Sequence, residues 1–366
     1  MTALLSASLH PQLAALGGGV NVPLTFLVAL VKGVLILVVL LTTAAYLVLA
    51  ERKVSARIQL RLGPNRVGPG GLMQPAADAV KLIFKEAAAP DGRDRFLFEL
   101  APALAAVAAL FAFAVIPINQ TICIGGRHGA GPLSAACPGG FALHWDLAHL
   151  NIGLLFILAV TSIGVYAIFL GGWASNSKYS LLGALRSSAQ LISYELAVSF
   201  AVLGPVLLSG SLNLERMVQA QHRLWFVFLQ PLAFLLYLTA GLAETNRLPF
   251  DLPEAEGELG AGYHTEMAGM RFGLFFVGEY VNMVVVAAIA TTLFLGGWMA
   301  PFFFLPSWLG PIWFFAKVML LIFMMLWIRW TYPRLRYDRL MQFGWKVLLP
   351  LGLANIVVTA VFVALR

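Results

Sequence analysis

Charge is scarce in this sequence. Asp, Glu, Lys and Arg make up 11% of its 366 residues, where a soluble chain of this length carries roughly a quarter. That shortage excludes a soluble globular class. Cysteine is scarcer still: Cys123 and Cys137 are the pair, too few for an iron–sulfur cluster built by this chain alone. No G-x-G-x-x-G follows a strand and no P-loop occurs, so nucleotide binding is excluded too. The six histidines lie without ligand spacing, so no metal site is expected. Any redox or energetic input must come from a partner.

What is present is apolar sequence, 60% of the chain at a mean hydropathy of +0.85. Runs near 24–49, 99–119, 151–172, 189–209, 224–243, 272–298, 312–330 and 345–365 each approach the roughly 20 residues that span a bilayer. They are continuous, not alternating, which excludes a β-barrel. The expectation is an all-α polytopic protein with about eight transmembrane helices, one integral membrane domain over 1–366. The net charge of +7 is distributed by topology: 18 of the 24 Lys and Arg fall in or beside odd-numbered loops, against Arg127, Arg216, Arg223 and Arg366 in the others. The positive-inside bias then makes odd loops cytoplasmic and puts both termini outside. Anionic lipid, not nucleic acid, is the partner this charge implies. The N-terminus has no cationic leader region, and its first apolar run is too long for a signal-peptide core, so no cleaved targeting segment is expected. Both cysteines fall in the outside loop 120–150, where a disulfide and two free thiols are both open readings.

Two cytoplasmic loops stand out. In loop 50–96, residues 51–71 (ERKVSARIQLRLGPNRVGPGG) are basic and then Gly/Pro-rich, which predicts bent rather than helical backbone. At 74–88, Val80, Ile83, Phe84 and Ala87 share one face and Asp78, Lys81 and Lys85 another, predicting an amphipathic helix along the membrane surface. The second loop, 244–271, holds Glu244, Asp251, Glu254, Glu256, Glu258 and Glu266 against only Arg247 and Arg271. Clustered acids titrate as a group, with some pKa values raised, which suits them to exchange protons near neutral pH. A solvated acidic loop is the plainer reading.

Ionisable residues also lie within the apolar runs: Lys32, Glu195, Glu279 and Lys317, with Glu244 at the end of one. Charge inside a bilayer costs a few kcal/mol and marks ion or proton paths, or pairing between helices such as a Glu with Lys317. Glu195 follows Gln190, Ser193 and Tyr194, which predicts a hydrogen-bonded chain beside it, and Gly204–Pro205 predicts an interruption of the same helix. FLGGW occurs at 169–173 and 294–298, closing two runs on opposite predicted faces, with each Trp a candidate interface anchor.

Two blocks carry a specific resemblance. Residues 51–86 (ERKVSARIQLRLGPNRVGPGGLMQPAADAVKLIFKE) and 243–280 (AETNRLPFDLPEAEGELGAGYHTEMAGMRFGLFFVGEY) closely resemble the family of the membrane-embedded H-type (or first) subunits of respiratory complex I, NADH:quinone oxidoreductase, as does the tail at 328–346. The resemblance runs over about 46–350. It implies a heel subunit of a proton-pumping respiratory-chain translocase in the bacterial inner membrane, joining a peripheral redox arm to the membrane arm. By motif match, Arg52, Arg61 and Phe250 would wall a quinone-access chamber, with loops 50–96 and 244–271 on its docking face. Asp78, Glu254, Glu256 and Glu258 would begin a proton path that Glu244, Glu195 and Glu279 continue. Quinone is the implied substrate. No cofactor or metal is implied for this chain and no catalysis by the chain alone; FMN and the Fe–S clusters belong to partner subunits. Two departures stand out: Met267 replaces a more usual aromatic, and loop 120–150, with its two cysteines and His128, His144 and His149, looks like an insertion. The competing readings are the homologous subunit of an energy-converting hydrogenase or deazaflavin-linked dehydrogenase and, from a different class, an independent cation/proton antiporter.

Overall fold

The computed structural model describes residues 22–124, 141–251, 262–300 and 309–365. Apart from one short pair of strands their regular structure is helical, and among them seven helices are long and apolar enough to cross a membrane. The chain is a multi-pass membrane protein. The run predicted at 224–243 is divided. Helix α7 (Phe226–Leu229) stops at Gln230, whose φ of −136° and ψ of 60° leave the helical region, and α8 (Pro231–Glu244) restarts at the proline. A residue before proline is pushed out of the α region, so the break sits where the sequence puts Pro231.

The first helix, α1 (Val22–Ile58), is 37 residues long. At 1.5 Å per residue it reaches about 55 Å, well beyond a hydrocarbon core of about 30 Å. Its last turns carry Glu51, Arg52 and Arg57 out of the apolar region as helix, so the bent segment predicted from residue 51 begins only after Ile58. A left-handed Leu60 (φ 54°) follows, and further on Gly68, Gly70 and Gly71 have positive φ. Gly71 is required twice over, because a Cβ there would lie 2.2 Å from the Pro64 carbonyl oxygen. The amphipathic segment is helix α2 (Gln74–Phe84), shorter than predicted, with Val80, Ile83 and Phe84 exposed along it.

Helices α3 (Arg95–Phe113), α4 (Gly153–Ala174) and α5 (Lys178–Ser209) pack consecutively. Only three residues join α4 to α5, and Asn176 turns among them with φ 53°. Gly172 permits this tight hairpin: a Cβ would sit 2.3 Å from Ala184 Cβ. Helix α9 (Met270–Phe294) is almost wholly enclosed from Tyr280 onward, as suits a helix apolar on all sides. It is the centre around which α1, α3, α8 and α10 (Gly310–Thr331) gather. Short α6 (Leu214–Ala220) closes one end. The last span runs through α11 (Tyr337–Phe343), one π-helical turn at Gly344–Leu348, and α12 (Leu349–Ala364). Strands β1 (Ile122–Ile124) and β2 (Phe141–Leu143) pair antiparallel, Cys123 opposite Ala142. Whether Cys123 and Cys137 bond lies outside the described residues.

Several expectations are corrected. Gly204–Pro205 does not interrupt α5, which continues to Ser209; the missing Cβ of Gly204 instead admits Gln230, whose Oε1 would lie 2.1 Å from it. The two FLGGW segments differ in conformation: the first stays helical with Trp173 exposed, while Gly296 and Gly297 turn with positive φ and bury Trp298. Trp298 is therefore no interface anchor. Among the described residues Lys317 is paired with no glutamate. It donates to the carbonyls of Leu295, Gly297 and Met299 at 2.6–2.9 Å, where α9 ends, satisfying acceptors that a helix terminus leaves open.

Candidate functional site

Where α1 leaves the apolar layer, its Glu51 is drawn inward. The carboxylate accepts from Arg247 Nη1 at 2.5 Å, from the Tyr280 hydroxyl at 2.8 Å and from Arg329 Nη1. Arg247 Nε lies 2.9 Å from Glu279 Oε1, and its guanidinium stacks 4.3 Å over the Tyr280 ring. Two acids and two arginines thus meet from α1, α9, α10 and the loop after α8. Arg247 is 2% exposed. Burial alone would lower its pKa, but Glu279 and Glu51 outweigh that and hold the guanidinium above its ordinary value. The loop holding Arg247 is itself pinned: Gln190 donates to the Ala243 and Phe250 carbonyls, Asp251 faces Arg334 at 3.4 Å, and Leu335 N–H donates to Pro249.

Three cavities surround this cluster in series. The largest, about 610 Å³, is apolar for most of its wall and lies between α1, α2 and α9, with Arg52, Asp78 and Tyr280 among its lining residues. The second, about 230 Å³, shares Arg52 and Tyr280 with it and adds Glu51, Arg61, Arg247, Glu279 and Arg329. The third, about 80 Å³, shares Glu279 with the second and is lined also by Glu195, Glu244, Asn246 and Asn282. Across the first cavity's mouth Arg52 Nη1 bonds Asp78 Oδ2 at 2.9 Å, and Gln74 holds the other oxygen of Asp78.

The sequence-predicted residues therefore separate into groups. Arg52, Asp78 and Arg61 line the first two cavities; Glu279, Glu195 and Glu244 face the third. Phe250 lines none of the three. It is buried against Tyr194, ring centres 5.8 Å apart. Glu254, Glu256 and Glu258 lie outside the described residues. The chain predicted beside Glu195 is not there as expected: Gln190 donates to the Ala243 and Phe250 carbonyls, Ser193 bonds to the Ala189 carbonyl and Trp345, and Tyr194 to the Leu340 carbonyl. Glu195 instead accepts from Ser162 of α4. Met267 is buried in a cluster with Phe98, Tyr263 and Phe275.

Sequence pattern does not single out Glu51, Arg329, Tyr280 or Ser162. Glu51 reads there as the acidic start of a basic loop. Its partners lie 196, 229 and 278 residues away, and no local pattern reports them. Nor does spacing reveal that His144 and His149, predicted to be scattered, meet Glu215 of α6 at the other end of α1.

Comparison with known proteins gives one family. The family model described as NADH dehydrogenase matches residues 31–360. A Geobacter metallireducens protein, the H-type NADH-quinone oxidoreductase subunit numbered 1 in that organism, is 54% identical over 345 residues, covering 94% of this chain and 99% of its own. The H-type subunit numbered 2 in Geobacter sulfurreducens is 53% identical over 328 residues, 90% and 94% of the two chains. The one numbered 2 in Syntrophobacter fumaroxidans is 50% identical over 338 residues, 92% and 96%. Identity this high along nearly the full length leaves one assignment: the chain belongs to the NADH dehydrogenase family, in the branch of the H-type subunits of NADH-quinone oxidoreductases.

Proposed function

We propose that this chain is the heel subunit of a proton-pumping NADH:quinone oxidoreductase of the bacterial cytoplasmic membrane, walling the quinone-access chamber and opening the proton path that leaves it. Both termini lie outside, and loops 50–96 and 244–271 face the partner subunits that carry FMN and Fe–S clusters. The chain supplies no redox centre and no catalysis alone; quinone is the substrate of the assembly. One observation carries the reading: three cavities run in series from an apolar groove, past a buried charge cluster, to Glu195 and Glu244, and neighbours in the series share lining residues.

Each part suits its step. About 610 Å³ of largely apolar space between α1, α2 and α9 is within the roughly 300–1,000 Å³ of small-molecule sites and fits part of an isoprenoid tail. Arg52 and Asp78 at its edge offer a charged, protonatable mouth for a polar headgroup. Two-electron reduction puts about two negative charges on the quinone oxygens until protons arrive. That charge acts on the Glu51–Arg247–Glu279–Arg329 cluster next door, where a low dielectric lets it be felt strongly. Glu279 belongs to both the cluster and the third cavity, so its proton affinity couples the two. The third cavity, about 80 Å³, is mostly apolar but places Glu195, Glu244, Glu279 and a buried Asn282 Oδ1 with no protein partner among the described residues on its wall, conditions that suit two or three waters as proton carriers. Coupling between sites then needs only this shared electrostatics.

The test is purification through a tag on this chain. Recovery of a flavin and Fe–S assembly with inhibitor-sensitive NADH:quinone reductase activity is expected. A nickel-containing hydrogenase partner without quinone activity would select the hydrogenase-type subunit instead, and a chain recovered alone that exchanges cations for protons in liposomes would select the antiporter.

A further inference from the structure

About twenty residues before Glu51 along α1, roughly 30 Å at helical rise, Lys32 donates to the His144 carbonyl at 2.6 Å. This marks a second polar cluster at the opposite end of the bundle from the cavities above. One ring nitrogen each of His144 and His149 and one carboxylate oxygen of Glu215 lie within 4.8 Å of one another. We propose that these three side chains form a binding site for a divalent transition metal of the zinc class. The proposal is independent of the quinone reading and touches none of its residues.

Four features beyond proximity point to a metal. First, the histidine rings are already held. Their centroids are 4.5 Å apart at 27°, His149 Nδ1 is 3.0 Å from Asp146 Oδ2, and His144 Nδ1 is 3.0 Å from Thr121 Oγ1. A carboxylate bound to a ligating imidazole fixes its ring and raises its basicity, the usual support around a zinc site. Second, Glu215 is held too: its Oε1 accepts from Thr121 at 2.9 Å, while Oε2 lies 3.8 Å from His149 Nδ1. Third, Asp146 is 7% exposed and its Oδ1 is buried with no protein partner among the described residues, an acceptor that the fold leaves open. Fourth, the donor set is right. Two imidazoles with one carboxylate, and room for a water, match tetrahedral zinc chemistry and disfavour calcium or magnesium.

Charge agrees. Glu215 and Asp146 offer two negative charges to a divalent ion. The cations facing the cluster are Lys32, which is engaged with a backbone carbonyl, and exposed Arg216, whose charge reaches His149. Bonds near 2.0–2.1 Å set ligand atoms about 3.4 Å apart, so the three must close by roughly 1.4 Å at most. His149, 23% exposed, is the edge by which an ion enters. Binding would clip the segment after β2 to α6, two stretches that sequence keeps 66 residues apart, from 149 to 215.

The experiment uses the full chain in its native assembly, stripped with a chelator and dialysed against micromolar zinc, with metal counted per complex. The parent is expected to retain one zinc more than a His144→Ala/His149→Ala variant, and millimolar calcium should not displace it. His222→Ala, at an exposed histidine outside the cluster, should leave the count unchanged, and zinc-free quinone reduction should be equal in all forms. Equal zinc counts in parent and double variant would overturn the proposal, as would displacement by calcium. Should the double variant fail to assemble, Asp146→Asn decides: loss of the supporting carboxylate is expected to weaken zinc binding by roughly 10–100-fold, and unchanged affinity overturns the site.

Discussion

Replacing Arg247 by Met tests the energetic centre of the molecule. The side chains have similar length, so packing is nearly kept while one positive charge and two ion pairs vanish. Glu51, at 8% side-chain exposure, keeps Arg329 and Tyr280; Glu279, at 16%, loses the cation 2.9 Å away. Removing one partner of a buried pair costs about 3–5 kcal/mol, because the charge left behind cannot recover its water. Each 1.4 kcal/mol is a factor of ten, so the ratio of native to unfolded protein should fall by roughly 10²- to 10⁴-fold relative to the parent. The assay is the half-time for loss of native size in detergent at fixed temperature, with the assembled yield at matched expression. Adding Glu279→Gln should restore part of the loss, giving a coupling of about 0.5–3 kcal/mol between the two positions. A single variant within twofold of the parent in half-time and yield would refute the reasoning, as would strictly additive effects.

Three further outcomes are expected. If Glu244 carries protons on the proposed path, Glu244→Gln should assemble normally but lower proton translocation coupled to quinone reduction by about tenfold or more; unimpaired pumping in reconstituted vesicles would count against that role. Arg52→Ala breaks a pair whose side chains are 50% and 33% exposed, so stability should change by under about 1 kcal/mol while the KM for quinone rises; a stability loss without any kinetic effect would reverse that assignment. Gly172→Val should cost about 1–3 kcal/mol by overpacking against Ala184 and the Ser180 carbonyl, seen as lower assembled yield, and normal yield would show that the α4–α5 hairpin can spread.

The spans were legible because lipid imposes one rule on all of them, a long apolar run whose backbone bonds to itself. The misread elements are those where a local signal met a tertiary answer. Residues 51–58 look like loop by charge, yet they continue α1 because Arg247, Arg329 and Tyr280 receive Glu51 there. Pro205 looks like a break, yet neighbouring packing carries α5 through it, while Pro231 does break its span because Gln230 leaves the helix. In the site, Glu195, Glu244 and Glu279 were visible as isolated charges in apolar sequence. Ser162 and Glu51 were not, since a serine in a span is common and an acid beside four basic residues looks solvated.

The knot at Glu51 also sets a schedule for making the protein. Its helix is the first of the described spans to leave the ribosome, while its three partners follow 196, 229 and 278 residues later. At roughly 5–20 residues per second, the carboxylate waits about 10–55 s for them. Placed mid-helix in the apolar stretch, it would spend that interval stranded in lipid. At the helix end it stays wet until Arg247, Tyr280 and Arg329 arrive in turn, and the last of its bonds closes only with Arg329. The set of bonds that fixes the end of the first helix is therefore complete only once most of the chain has been made.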